Sequence, residues 1–245
     1  MSERLPAAVI VPAAGAGVRL GELKPKAFVE LADGRSMLET AIDGVRASDV
    51  ASQIIVVVPD DLVEHTRALL PDVTVVAGGA HRSESVRAGI AACDPDIDLI
   101  LVHDAARPLT PPDVFTTVVD AVSGGRAVVV PGIPVVDTLK QVVLDDPPSG
   151  EPPSDQVSGE RVVTTVDREL LRAIQTPQGF RRDALLRAHA DDSGLATDDA
   201  GLAERCGIDV HVIAGSALAF KITTPFDLTV ARAVLDDRAT SRMQR

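Results

Sequence analysis

The sequence predicts an α/β fold: a doubly wound, mostly parallel sheet in a Rossmann-like three-layer sandwich with a projecting β-hairpin arm. Short apolar runs recur along the chain, segments of helical spacing separate them, and the first run ends in a glycine-rich turn. The runs are AAVIV at 7 to 11, IIVVV at 54 to 58, VTVVA at 73 to 77, LILVH at 99 to 103 and AVVVP at 127 to 131. They are apolar throughout, as strands are when helices cover both faces of a sheet. Between them SMLETAIDGVRA, DDLVEHTRALL, SESVRAGIAAC and PDVFTTVVDAV place apolar residues at helical spacing. Right-handed crossovers then wind the helices onto both faces.

The pattern changes after Pro131. VVDTLKQVVL at 135 to 144 alternates as an exposed strand and RVVTTVDR at 161 to 168 reads as its return. Residues 145 to 160 between them hold four prolines, two glycines and several charges, a composition expected to form a mobile tip. The pair predicts a hairpin arm over about 135 to 168 within a single domain of residues 1 to 245. A lone two-stranded hairpin is marginal in water, so the arm is expected to pack on a second subunit. DVHVIAG at 209 to 215 is a further strand. TTPFDLTVARAVLDD opens the last helix, with Thr224 as N-cap, Pro225 first in the helix and Asp227 third.

Composition excludes several functions. The chain has 245 residues, 45% of them hydrophobic, but only five Phe and no Trp or Tyr, so its core is aliphatic and it lacks aromatic platforms for stacking bases. A formal charge of -12 disfavours a polyanion-binding surface, and no nucleic-acid partner is expected. Cys93 and Cys206 lie far apart without metal-ligand spacing. The apolar stretch after Arg4 is short and broken by Pro6 and Pro12, unlike a signal peptide, and no run has the roughly 20 residues of a membrane span. A cytoplasmic protein with no membrane partner is expected.

The first strand ends in PAAGAGVRL, where Gly15 and Gly17 allow backbone N–H groups to cradle a phosphate. The third glycine of a dinucleotide fingerprint comes one place late, at Gly21, and Arg19 and Lys24 to Lys26 (KPK) follow. That cationic density suits a triphosphate; the competing reading is a tight turn with solvated cations. VHDAARP at 102 to 108 puts Asp104 and Arg107 at the carboxyl end of a strand, facing the same crevice. Asp104 is a candidate Mg2+ ligand, or else an N-cap or a buried partner of Arg107, while His103 reads as packed. GGAHRSESV at 78 to 86 adds a glycine pair and Ser85. Arg168 and Lys221 are candidates for a second phosphate, and Thr138, Thr176 and Thr197 supply hydroxyls in loop-like contexts.

PAAGxGxR…KPK, GGxxRxxSV, VHDAARP, DTLK, TVDR, TPQ, TDDA and KIT occur in one order from about Ala7 to Leu235. As a set they resemble the methylerythritol phosphate cytidylyltransferases, the nucleotidyltransferases of the non-mevalonate isoprenoid pathway. The resemblance implies a nucleotidyltransferase fold, Mg2+ dependence, and a homodimer whose arms reach across to the partner. It implies CTP and a polyol phosphate as substrates, with Arg19 and Lys26 on the CTP phosphates and the transition state. Pro12, Ala13, Ala14, Gly15, Ala16 and Gly17, with Gly79, Ser85, Asp104 and Ala105, would hold the nucleotide. Arg107, Thr138, Arg168, Thr176, Thr197 and Lys221 would surround the acceptor, with Lys221 also catalytic. Ala80 departs from the acidic residue common near the base, and the Pro-rich stretch at 145 to 160 is longer than the arm requires. A ribitol phosphate cytidylyltransferase shares the glycine loop and the HDA motif. An NAD-dependent reductase is disfavoured by the late glycine and the absence of Tyr, and a nucleotide-binding module without catalysis is the remaining alternative.

Overall fold

The computed structural model describes residues 5–15, 25–144, 160–190 and 197–243. In chain order it contains β1 (Ala7–Pro12), β2 (Glu30–Ala32), β3 (Arg35–Ser36), α1 (Met37–Ala47), β4 (Ala51–Val58), α2 (Val63–Leu69), β5 (Thr74–Ala77) and α3 (Arg82–Ala91). Then come β6 (Leu99–Val102), α4 (Pro112–Ser123), β7 (Val128–Pro134), β8 (Leu139–Leu144), β9 (Glu160–Val166) and β10 (Arg172–Ile174). The chain continues through β11 (Gln178–Arg181), α5 (Arg182–Ala190), α6 (Asp199–Arg205), β12 (Val210–Ala214) and α7 (Pro225–Met243). Two compact units result, one of Met1–Gly132 with Ile174–Arg245 and one of Ile133–Ala173. The Pro-rich tip, residues 145 to 159, lies outside the described residues.

The larger unit is built on the predicted sheet, ordered β7-β11-β6-β1-β4-β5 with β12 pairing β7. β1 lies parallel to β4 and β6, and β4 parallel to β5. Alternate strand residues face opposite layers. Val9, Val11, Val56, Leu99 and Leu101 belong to one buried cluster, with Leu38 and Ile42 of α1 and Phe115 and Val118 of α4. Ala8, Ile10, Ile55, Val57 and Ile100 belong to the other, with Val86 of α3, Leu185 of α5 and Leu202 of α6. Both layers are mainly aliphatic, with Phe115 in one and Phe180 in the other.

The structure adds elements that the apolar pattern does not mark. β11 enters the sheet antiparallel to both β6 and β7. The β2–β3 hairpin turns at Asp33 and Gly34, with φ of 52° and 74°, the paired positive values of a type I′ turn. A third cluster of Leu31, Met37, Leu109, Ile222 and Leu228 seats α7 on this hairpin, and Arg232 donates to the carbonyls of Glu30 at 2.8 Å and Leu31 at 3.1 Å. α7 begins as predicted: Asp227 accepts from the Thr224 N–H at 2.8 Å while the Thr224 hydroxyl accepts from the Asp227 N–H at 3.2 Å. This reciprocal cap closes the first turn. No described helix is long and apolar enough to cross a membrane.

In the smaller unit β8 and β9 pair antiparallel, with Leu139 opposite Val166 and Leu144 opposite Glu160. The strand expected from residue 135 begins only at Leu139, and its return ends at Val166, before a 3-10 turn over Arg168–Leu170.

Candidate active site

The order of the sheet fixes where a ligand goes. From β1 the chain moves outward to β4 and β5, then returns to place β6 on the other side of β1. A crevice opens at such a reversal, outside the carboxyl ends of the strands. Here one cleft is lined by Pro12, Ala13, Ala14 and Gly15 after β1, by Gly79, Arg82 and Ser85 between β5 and α3, and by Asp104 and Ala105 after β6. Lys26 and Lys221 reach the same cleft from the segments before β2 and α7. Ten of the sequence-selected residues thus converge on one surface: Pro12, Ala13, Ala14, Gly15, Lys26, Gly79, Ser85, Asp104, Ala105 and Lys221. Ala16, Gly17 and Arg19 lie outside the described residues.

Local packing explains the small residues. Ala13 N–H donates to the Val57 carbonyl at 2.7 Å and Gly78 N–H to the Val58 carbonyl at 2.8 Å, so the loops after β1 and β5 are both tied to the end of β4. A Cβ on Gly78 would lie 2.7 Å from the Ser85 hydroxyl and 2.9 Å from the Ala14 methyl, and one on Gly79 would meet Glu84 at 2.3 Å. Gly78 lets the two loops close against each other, and Gly79 makes room for the Glu84 side chain. A Cβ on Gly15 would meet nothing within 4 Å among the described residues. The Ser85 side chain is buried and donates to the His81 carbonyl at 3.3 Å.

Asp104 is the electrostatic centre. Its Oδ2 is 2.8 Å from Lys221 Nζ and 3.7 Å from Arg107 Nε, and its Oδ1 is 3.5 Å from an Arg82 terminal nitrogen. Burial pushes the carboxyl up, but Arg82 and Lys221, with Arg107 behind them, outweigh burial and hold it well below the usual carboxylate range. Asp104 is therefore ionised and surrounded by positive charge. Among the described residues no group of three or more His, Cys, Asp or Glu could hold a metal ion. Both oxygens of Asp104, the expected Mg2+ ligand, face cations, so a metal there would share the carboxylate with Lys221 and Arg82 or displace them.

Two residues expected to contact the acceptor also make bonds that hold the cleft together. Arg107 donates to the Ala219 carbonyl at 2.7 Å and to the Ile174 carbonyl at 3.2 Å, so its terminal nitrogens are committed to backbone. With Ile222 N–H on the Ala106 carbonyl at 2.8 Å, it fixes the segment that carries Lys221. Thr176 is buried, its hydroxyl 3.0 Å from His103 Nδ1 and accepting from the Asp104 N–H at 3.0 Å. Both residues point inward because the alternative would leave buried polar groups unpaired. His103 is packed, as expected, and burial pushes its pKa down to about 4.

Thr197 is exposed beside Asp198, the N-cap of α6. Gln178 clamps that cap, donating to Asp198 at 2.6 Å and accepting from the Ala200 N–H at 3.1 Å, which joins the TPQ and TDDA motifs. Thr138 and Arg168 are exposed in the smaller unit, where Arg168 donates to the Val136 carbonyl. The sequence reading left Arg82 and Asp199 unassigned, although GGxxRxxSV and TDDA contain them. They form an ion pair at 2.7 Å.

The sequence model of the family described as IspD: 2-C-methyl-D-erythritol 4-phosphate cytidylyltransferase matches residues 7–237. The enzyme of that name from Rhodococcus jostii is 51% identical over 96% of this chain and 97% of its own, and that from Nocardia farcinica 52% identical over 94% of each. The crystal structure of the Thermus thermophilus 2-C-methyl-D-erythritol 4-phosphate cytidylyltransferase superposes with a TM-score of 0.72 at 33% identity, covering 95% of this chain and 98% of that one. An Anaerococcus prevotii 4-diphosphocytidyl-2C-methyl-D-erythritol synthase gives 0.77 at 28% identity, covering 95% and 99%. The chain belongs to the 2-C-methyl-D-erythritol 4-phosphate cytidylyltransferase family.

Proposed function

We propose that the cleft transfers the cytidylyl group of CTP to 2-C-methyl-D-erythritol 4-phosphate, forming 4-diphosphocytidyl-2-C-methyl-D-erythritol and pyrophosphate. Family membership carries the cytidylyltransferase activity. The observation that supports the residue assignment is the convergence of Lys26, Lys221 and Asp104 with the Pro12 to Gly15 and Gly79 loops on one cleft.

The acceptor is a phosphomonoester whose second pKa is about 6, so its oxygen is already anionic at neutral pH and needs no general base. That oxygen forms a bond to the α-phosphorus as the bond from phosphorus to the bridging β-phosphate oxygen breaks, and pyrophosphate leaves in line. The difficulty is charge: one polyanion must approach another. Fixed cations that meet the charge of the transition state supply the largest catalytic contribution in such a reaction. We assign Lys26 and Arg19 to the triphosphate and Lys221 to the acceptor phosphate. The backbone from Pro12 to Gly17, with Gly79, Ser85 and Ala105, is assigned to the nucleotide. Thr197 is assigned to the acceptor, as are Thr138 and Arg168 from the arm of a second copy in a homodimer. Arg107 and Thr176 hold Lys221 and Asp104 in place. Mg2+ is proposed to enter with CTP, where it would offset the charge of the triphosphate.

Pyrophosphate release with CTP and Mg2+, run with methylerythritol phosphate and ribitol phosphate side by side, tests the reading. Release with the former alone is expected. Release with ribitol phosphate alone would move the acceptor assignment to another polyol, and no release with either would overturn the catalytic reading.

A further inference from the structure

The cleft carboxylate belongs to a chain of charges that runs inward. Lys221 meets Asp104, Asp104 faces Arg82, and Arg82 meets Asp199 at 2.7 Å. Asp199 in turn is 3.0 Å from His189 Nε2, and the side chains of both are almost fully buried, at 1% and 3% exposure. Asp199 is fixed independently of the cleft, because it opens α6 directly after the cap that Gln178 clamps. Its Oδ2 has no aligned hydrogen bond, so the Arg82 contact there compensates the buried charge as an ion pair. Arg82 therefore has a tight inner partner and, at 3.5 Å, a loose outer one.

We propose that Arg82 is a positioning residue for cytidylyl transfer: anchored by Asp199, it keeps Asp104 in place when Lys221 is drawn from Asp104 to a substrate phosphate. The proposal rests on the functional reading above. Lys221 is the mobile member, a point charge on a flexible stem and the most exposed side chain of the set at 42%. Once it leaves, Asp104 needs another cation. Arg107, at 3.7 Å, is tethered by the two backbone carbonyls on its terminal nitrogens. Arg82 can close, because its planar fork presents separate nitrogens to Asp199 and Asp104, which a lysine ammonium at that position could not match.

A double-mutant cycle tests this. Arg82→Gln, Asp104→Asn and the double variant are compared for kcat and KM towards CTP and methylerythritol phosphate, with urea unfolding measured alongside. Arg82→Gln is expected to lower kcat/KM for the acceptor about tenfold or more in the wild-type background but by less than about threefold in the Asp104→Asn background, since contacting residues are not additive. Losses that multiply would overturn the proposal, because Arg82 would then act independently of Asp104. Arg82→Lys is the second variant and covers a failure of Arg82→Gln to fold; it keeps the charge but not the fork, and full activity in it would equally overturn the proposal. An inactive wild type would sink the functional reading and the catalytic part of this one together. An active wild type without coupling would sink this inference alone.

Discussion

The two units of this chain place their valines in opposite ways. In β1, β4 and β6 of the larger unit, Val9, Val56 and Val102 are fully buried. In the hairpin of the smaller unit, Val142 and Val143 are 39% and 40% exposed, and Val162 and Val163 are both 51% exposed. One region encloses its own core and can hold a cleft rigidly; the other leaves its apolar side chains about half exposed, the kind of surface that favours association. Substitutions should therefore act through chemistry and packing in the first region and through association in the second.

The largest expected effect separates chemistry from folding within the larger unit. Lys26 reaches the cleft from the segment before β2, while α7 is held to β2 itself through Arg232. Lys26→Ala is expected to lower kcat by about 10²- to 10³-fold, the usual cost of removing one transition-state donor, with little change in acceptor KM. Steady-state kinetics check it. A mainly raised acceptor KM would mean that Lys26 serves binding and not the transition state.

How much of this was legible in the sequence depends on what marks each residue. The parallel strands were legible because burial on both faces leaves a continuous apolar run. α7 was legible because Thr224, Pro225 and Asp227 are a local signal, satisfied within four residues. β11 was not, since its buried Gln178 is a polar clamp that breaks the apolar pattern. Motifs placed Arg107 and Thr176 at the cleft, but not their direction. Spacing along the chain does not reveal that Thr176 lies under His103 or that Arg107 meets the Ala219 carbonyl. Arg82 escaped assignment for the same reason, its partner Asp199 being far off in sequence.

Packing gives the next effect. A Cβ on Gly179 would lie 2.3 Å from Val118 Cγ1 and 3.3 Å from Val122 Cγ2, where α4 rests on β11. Gly179→Val should cost about 3 kcal/mol in urea unfolding, since an overfilled core must displace the helix. An unchanged midpoint would mean that α4 can shift freely.

A smaller effect follows from His103. Unfolded, the imidazole takes a proton below its ordinary value of 6.5, whereas the folded side chain resists until about pH 4. The unfolded state thus binds more protons in that window, and stability falls as pH drops from about 6.5 towards 4. Asp104 and Asp199, both held low, remain ionised there and add little to the slope. The loss between pH 7 and 5 should be about 2 kcal/mol in the wild type and largely absent in His103→Gln. Equal slopes in the two proteins would overturn this account.

The smallest effect on stability is expected in the hairpin, where the contrast is tested most directly. Val163→Ser removes an apolar side chain that is already half exposed, so unfolding of the larger unit should change by less than about 0.5 kcal/mol. Its consequence should be seen in association. If the arm packs on a second copy, the serine uncovers nothing in the monomer but takes apolar area from the dimer, and sedimentation at falling concentration should show earlier dissociation than in the wild type. A large loss of unfolding free energy in the isolated monomer would show that Val163 is covered within its own chain. The hairpin would then share the self-contained packing of the sheet, and the difference between the two regions would be one of degree.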